Sequence, residues 1–364
     1  MQISRTCRCA LAAACAITAL ASCGSTADQA SEPPSLKDEH VVVAVAPSDN
    51  EEASDVLGVA QASPNETHAA PTVQPTATQL QEGAAPRLPV TLVDELGNEV
   101  TITSIDRIIP LDGTVAEVVF ALGLGDYVVA TDLSATYPPQ ADALPEIGYQ
   151  RSLTAESIAS FAPTILLATD IAGPEEAIDD LRRLGMPLVI VPNEATPEGP
   201  AAKIRAVAIA LGVPERGERL AQELEQALSE AAASPTANPP LIAAMYLRGA
   251  STQLVLGRNS ATHWLIEAAG GTDIADALDI DESAPISAEA LLVAAPDILL
   301  VPASGLASVG GIDGLLEIGG LSQTPAGRNR AVLVYDDQLL LGNGPRTGQL
   351  LAHMIADIRE FATE

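Results

Sequence analysis

From Leu88 onward, apolar residues alternate between short continuous runs and longer stretches in which they recur every three or four positions. The runs Arg107–Leu111, Tyr127–Thr131, Thr164–Ala168 and Pro187–Val191 predict buried strands, and a helical pattern follows most of them. Ahead of them, Val90–Val93 and Val100–Ile102 flank Gly97-Asn98, the signature of a hairpin. After Pro239 the alternation resumes through Ile242–Leu247, His263–Ala269, Ala288–Ala294, Asp297–Val301, Ala331–Tyr335 and Gly348–Phe361. Strands alternating with helices predict α/β architecture and largely parallel sheets.

Between the two alternating stretches the strand signal lapses. Ala201–Leu211 reads as a helix ended by Gly212, and Pro214 suits the first position of another. Leu220, Leu224 and Leu228 then form one apolar stripe, only Gly217 interrupts, and Pro235 closes the segment. At 1.5 Å per residue this rod is roughly 28 Å long, enough to link two lobes; packing within a single lobe is the alternative. The expected organisation is an N-terminal α/β lobe over 87–213, a linking helix over 214–233 and a C-terminal α/β lobe over 234–364. One repeat supports it: Leu153 to Leu167 aligns without gaps on Ile286 to Leu300, sharing Ala-Glu, Ala-Pro and Ile-Leu-Leu. The fold class expected is therefore two Rossmann-like lobes with central, mostly parallel sheets, joined by one long helix, with a ligand cleft between them.

The N-terminus is of another kind. Arg5 and Arg8 precede a small apolar run, Cys9 to Ala21, too short to span a bilayer. Leu20-Ala21-Ser22-Cys23 reads as a lipobox, so 1–22 is expected to be a signal peptide and Cys23 a lipidated residue. Residues 24–86 carry no aromatic side chain and set ten acids against Lys37, so 23–86 is expected to be a disordered acidic tether. A short edge strand at Val41–Ala46 is the alternative there. All four cysteines, Cys7, Cys9, Cys15 and Cys23, lie at this end, which leaves the globular part without disulfides or thiolate chemistry. The chain's formal charge of −30 argues against nucleic acid as a partner.

No Gly-x-Ser-x-Gly elbow, Walker loop or His-Glu-x-x-His stretch occurs. Gly342-Asn343-Gly344-Pro345-Arg346-Thr347-Gly348, after a strand-like Leu339–Leu341, has the wrong glycine spacing for a dinucleotide loop but suits a turn that presents Arg346. His263 and His353 read as helix-surface or core residues. The five tyrosines are more informative. Tyr149-Gln150-Arg151 and Tyr246-Leu247-Arg248 repeat a Tyr-x-Arg pattern, one in each lobe. In extended chain, residues two apart share a face, so each phenol is expected beside a guanidinium that favours its anionic form. Phenolate is a hard donor for ferric iron and an established haem ligand, and arginine holds carboxylates in bidentate fashion. Ordinary half-buried strand positions are the alternative.

With these residues in view, the chain resembles the haem-binding lipoproteins of bacterial ABC-type haem importers, substrate-binding proteins with a rigid linking helix. The likeness rests on Arg107 to Gly113, Ala121 to Asp126, Ser134 to Pro138, Leu144 to Leu153, Ala172-Gly173-Pro174 and Leu341 to Arg346, and most specifically on Gly148-Tyr149-Gln150-Arg151-Ser152-Leu153 followed by Ala155-Glu156. The resemblance implies Tyr149 and Tyr246 as iron ligands of haem b (hemin), with Arg151 and Arg248 tuning them. Arg258, Arg346 and Tyr137 are expected to support the porphyrin or its propionates. It also implies Glu156 and Glu289 as contacts to an ABC permease that works with an ATPase. Location on the extracytoplasmic membrane face, receipt of haem from upstream donor proteins and absence of catalysis follow in the same way. Ferric siderophore or cobalamin is the alternative ligand.

Overall fold

The computed structural model describes residues 40–43, 85–231, 238–285 and 287–363. The expected signal peptide and Cys23 lie outside them, as does most of the expected tether. One part of that tether is described and corrects the expectation: His40–Val43 forms strand β1, antiparallel to the strand Val332–Tyr335. This is the edge strand that the apolar run permitted, since a row of valines has high β-propensity.

The N-terminal lobe opens with the hairpin of β2 (Val90–Val93) and β3 (Glu99–Ile102), with Gly97 at φ +83° in the turn. A parallel three-stranded sheet follows, in the order β4 (Ile108–Pro110), β5 (Ile165–Ala168), β6 (Leu188–Ile190). Alternate residues serve two cores. Ile108, Ile165, Leu167 and Val189 pack with helices Gly113–Ala121 and Gly199–Ala210; Ile109, Leu166, Leu188 and Ile190 pack with helix Glu175–Arg183. Burial on both faces explains why these strands read as unbroken apolar runs. The strand expected at Tyr127–Thr131 is not one. Gly125–Tyr127 is a short 3-10 turn, and the segment's backbone divides between two partners, Val128 bridging to Ile108 and Thr131 to Glu146.

The C-terminal lobe has a sheet in the order β1-β12-β11-β7-β8-β10, with β9 also pairing β7. Here β7 is Leu241–Arg248, β8 Thr252–Val255, β9 Thr272–Asp273, β10 Ala284–Pro285, β11 Ile298–Pro302 and β12 Val332–Tyr335. Its centre is parallel, as expected, but β1 and β8 run against it, and β10, antiparallel to β8, runs with it again, so this sheet is mixed. The connection from β7 to β8 at Gly249 is far too short for a crossover, and only an antiparallel return is possible. Leu339–Leu341 is also corrected: it lies inside helix Asp337–Gly342, capped by Asp336.

The repeat is structural. Helices Ala155–Ala159 and Ala288–Ala294 have Thr154 and Ser287 as N-caps, and each chain then passes through a left-handed alanine, Ala162 at φ +45° and Ala295 at φ +47°, before its proline and strand. The linking helix is Pro214–Ala231. Leu220, Ala221 and Leu224 enter the N-terminal core, Ala231 packs against the C-terminal core, and Leu228 touches both. A Cβ on Gly217 would lie 2.2 Å from Ala208 Cβ, so this glycine sets how closely the helix approaches Gly199–Ala210. Among the described residues no helix is long and apolar enough to cross a membrane.

A Gly217→Ala substitution therefore tests the helix contact. In an open helix it would stabilise by about 1 kcal/mol; here overpacking is expected to cost about 1–3 kcal/mol, measured as a lowered denaturant midpoint at unchanged slope.

Candidate functional site

The two lobes meet along a polar seam, and the seam decides what faces what. Helix Gly113–Ala121 brings Glu117 to it from the N-terminal lobe, and the turn after Gly342 brings Arg346 from the C-terminal lobe. Arg346 is 8% exposed and grips Glu117 with two hydrogen bonds, Nε to Oε1 at 3.0 Å and a terminal nitrogen to Oε2 at 3.2 Å. Its guanidinium stacks 3.6 Å from the Tyr137 ring centroid. Beside it, Gln338 donates to Gly113 O, Glu117 Oε2 and Tyr137 O, while its own oxygen accepts from Tyr137 N and Thr136 Oγ1. Buried Lys203 donates from Nζ to Thr114 Oγ1, Gly342 O and Asn343 O. A Cβ on Gly342 would lie 2.1 Å from Thr114 Cγ2, so glycine is required for this approach. Burial pushes the Glu117 carboxyl up, against the lowering effect of Arg346, and pushes the Lys203 ammonium down.

Tyr149 stands on a loop of the N-terminal lobe, 39% exposed. The expected extended Tyr-x-Arg geometry is corrected here: Ser152 N donates to Tyr149 O at 2.8 Å, so residues 149–152 form a turn. The loop is pinned on both sides. Leu133 N donates to Gly148 O, Gly173 N to Gln150 O, and Leu153 N to Gly173 O. Asp132 lies beneath it and accepts from Ser134 N and Oγ. Burial, reinforced by the charge of Asp112, pushes its carboxyl up to about 6, while the Ser134 and Gln150 N–H groups act in the lowering direction.

Tyr246 and Arg248 lie on β7, where alternation holds as expected: Met245 and Leu247 are in the core on the opposite face. The Arg248 guanidinium sits 4.5 Å from the Tyr246 ring centroid. Four groups act on the Tyr246 phenol, namely Arg248, Asp337 and, from the other lobe, Tyr149 and Arg151. The two tyrosines thus share one electrostatic environment across the lobes. The expected anionic phenol is corrected for Tyr246: burial raises its ionisation above the ordinary value, outweighing the lowering by Arg248 and Arg151.

The remaining predicted residues fall elsewhere. Arg258 bridges Asp279 and Asp281 on the surface, 2.8 and 2.7 Å away. Arg346 and Tyr137 belong to the seam, where Arg346 is already held by Glu117. Glu156 and Glu289 are exposed in the first turns of the two repeated helices. His263 and His353 are partly buried helix residues, as read. His263 Nδ1 pairs with buried Asp273 at 3.1 Å, and ligand atoms of His263, Glu267 and Asp276 lie within 4.8 Å of one another, both carboxylates being exposed. Tyr335 is core, donating to Asp357 at 2.6 Å. Surface hollows of about 300 and 250 Å³, lined by Arg205, Ile209 and Pro214 and by Leu88, Ile105 and Tyr127 respectively, include none of the paired tyrosines.

Sequence reasoning missed Glu117, Lys203, Gln338 and Asp337. Lys203 shares Ala201–Leu211 with Arg205, which pairs with Glu218 and Glu225, so that stretch does not single it out; for Glu117 a signal existed, since it is the one charge inside the otherwise apolar stretch Val115–Leu122. Such a charge is buried only when paired. For Gln338 and Asp337 no local pattern distinguishes them from solvated helix residues.

Two α/β lobes joined by a stiff helix define the architecture of a bilobed substrate-binding protein. The chain belongs to the periplasmic binding protein family, whose model matches residues 108–339. It is similar to the periplasmic heme-binding protein RhuT of Roseiflexus sp. RS-1, solved in apo form, at 46% identity and TM-score 0.68, covering 71% of this chain and 99% of that one. Similarity to the heme binding protein HmuT is 35% identity with TM-score 0.71, over 76% of this chain and 92% of that one. Among curated proteins it resembles the vitamin B12-binding proteins of Vibrio cholerae serotype O1 (strain ATCC 39315 / El Tor Inaba N16961) and Pectobacterium atrosepticum. These are 29% identical over 136 residues and 27% over 124, or 37% and 34% of this chain. The chain spans about half the length of these curated relatives, 49% and 44%.

Replacing Arg346 by Met strands Glu117 in the seam, and a loss of about 3–5 kcal/mol is expected at pH 7. Because the native carboxyl already titrates above its unfolded value, its contribution is fully present at acid pH and lost as pH rises. The deficit of the variant should therefore shrink on acidification, as measured by denaturant unfolding at pH 7 and pH 4.5; an equal deficit at both would contradict the assignment.

Proposed function

We propose that this protein is an extracytoplasmic receptor that captures ferric haem between its lobes and delivers it to an ABC permease driven by its ATPase. The observation that carries the reading is the shared environment of Tyr149 and Tyr246, one from each lobe, with Arg151 and Arg248 beside them. Tyr149, from an exposed loop, and Tyr246, from β7, would supply phenolate oxygens to the iron, and haem b is cargo rather than a resident cofactor. Similarity to RhuT over nearly its whole length, and to HmuT, supports haem over other ligands. The vitamin B12-binding relatives match about a third of this chain and support the shared scaffold. A corrin ligand also gives no reason for two facing phenols flanked by guanidinium groups.

Because Tyr246 titrates above its ordinary value, it meets the ligand as a neutral phenol, and ligation to iron displaces its proton. Arg248 and Arg151 then face the anion that remains. The propionates need cations, and Arg151 is the exposed candidate, since Arg258 and Arg346 are already paired. The lipobox at Cys23 supports anchoring of the mature chain to the outer leaflet by acyl groups, after removal of 1–22. Receipt of haem from upstream donor proteins fits that location.

Haemin added to the purified protein should develop a Soret band. Tyr149→Ala and Tyr246→Ala should each change the spectrum and weaken binding by more than about 100-fold, the upper range for losing even an indirect metal contact. Haem spectra unchanged in both single variants and the double would remove the ligand assignment. Competition with haemin, a siderophore panel and cobalamin tests the ligand class. Glu156 and Glu289, exposed on matched helices of the two lobes, are proposed to dock into the permease. Replacing both by Ala should leave haemin affinity within about twofold while abolishing haem-dependent growth or uptake in cells.

A further inference from the structure

Away from the paired tyrosines, the C-terminal lobe gathers one imidazole and two carboxylates. His263 and Glu267 stand four apart on helix Ala261–Ala268 and so share a face. Asp276 comes from helix Ile274–Leu278, which follows β9. A ring nitrogen of His263 and a carboxylate oxygen of each acid lie within 4.8 Å of one another, and His263 Nε2 is 3.9 Å from Glu267 Oε1. Asp273, fully buried, orients the set from behind. Its Oδ1 accepts from Ala275 N and so caps the helix that carries Asp276, while its Oδ2 pairs with His263 Nδ1 at 3.1 Å. A carboxylate at Nδ1 selects the tautomer with its proton there and leaves the Nε2 lone pair beside Glu267.

We propose that His263, Glu267 and Asp276 bind a divalent transition-metal cation, with zinc the best fit, at a site separate from the paired tyrosines. Mixed nitrogen and oxygen donors suit zinc, whereas calcium and magnesium take oxygen. Two ligand atoms on one zinc stand at most about 4.3 Å apart. The Nε2–Oε1 spacing is already inside that span, and both acids are exposed, so rotation of their side chains closes the rest. Without a cation, Nε2 and Oε1 are two acceptors facing each other at a separation too long for a hydrogen bond. The place in the sheet keeps this site apart from the other. Ile242, near the start of β7, pairs with Asp273, and Tyr246 is four residues, or about 13 Å, further along the strand. Helix Ala261–Ala268 packs with Ile242 and Ala244 on one face of the sheet, and Ile274 packs with Ala243 and Met245 on the other. A cation held by both helices joins these two layers around β9 as a structural clasp, and this holds whatever the cleft binds.

Zinc binding is measured by isothermal titration on the untagged full chain, after alkylation of Cys7, Cys9, Cys15 and Cys23, its only cysteines. One zinc should bind per chain. His263→Gln, and Glu267→Gln combined with Asp276→Asn, should each weaken it by at least about tenfold, the smallest loss seen even for groups behind the ligands. The two acids are exposed, so the second variant should unfold at the same denaturant midpoint as wild type when metal is absent. Saturating zinc should raise the thermal midpoint of wild type by about 2 °C or more and leave both variants unmoved. Nickel should quench the fluorescence of Trp264, the only tryptophan and the neighbour of His263, in wild type alone. Anomalous scattering at the zinc edge in soaked crystals should place the ion between the three side chains. Equal zinc affinity in wild type and variants would put the ion elsewhere on this acidic chain and overturn the proposal. So would the absence of saturable binding at micromolar zinc, the result expected if His263 is a protonated partner of its acids. Displacement of zinc by an equal concentration of magnesium or calcium would overturn the assignment to a transition metal.

Discussion

Glu117 and Arg346 reach across the seam from opposite lobes, and their bidentate contact sets where the two tyrosines stand relative to each other. Tyr149, on a loop, and Tyr246, on β7, belong to different lobes, so no single element can fix their separation; only the packing between lobes can. Taking two charges out of water costs several kcal/mol per ion, which such a pair returns only when its geometry and hydrogen bonding are complete. Here they are: both carboxylate oxygens are engaged, and Gln338 adds a third donor to the acid. What the pair contributes is register more than stability. An apolar seam could slide, whereas a fork matched to a carboxylate has one alignment.

Consecutive residues divide two tasks on one short helix. Gln338 turns to the N-terminal lobe and engages Gly113, Thr136, Tyr137 and Glu117; Asp337 turns to its own lobe and engages Arg248 and Ser304. The alignment of the lobes and the charge beside Tyr246 are therefore set from the same point in the chain. A shift of this helix moves both together. The stiff helix Pro214–Ala231, with its close glycine contact at Gly217, opposes large hinge motion by the same logic of packed, discrete contacts.

The lobes, the linking helix and the repeat were legible because they are written in burial. Runs such as Ile165–Ala168 and Ile298–Pro302 are apolar on both faces, and the capped helices before them carry Thr154 or Ser287 where a cap is needed. The Tyr-x-Arg pairs were legible as composition, with five tyrosines in the whole chain, but only one pair has the expected geometry. Tyr246 and Arg248 obey strand alternation; Tyr149 and Arg151 sit in a turn, because residues 146–148 leave their pairing with 131–133 before Tyr149 is reached. The mixed sheet of the C-terminal lobe was not legible, since periodicity reports burial and not strand direction. Nor was the placement of Arg346, whose partner is 229 residues away in sequence.

Net charge is the remaining constraint. Residues 87–364 carry 38 acids against 15 bases, a formal −23, yet two guanidinium groups act on the Tyr246 phenol against one carboxylate. A diffuse negative field disfavours an anionic ligand at long range, and salt screens it beyond about 10 Å. Within the site the local excess of cations lies closer to the phenol than that screening distance. The balance there is fine. Burial acts on the Tyr246 phenol in the raising direction and outweighs the lowering by Arg248 and Arg151. On the proposed reading, only a ligand that brings both a ferric centre and carboxylates of its own satisfies every group present: the iron displaces the proton, and the carboxylates answer the arginines.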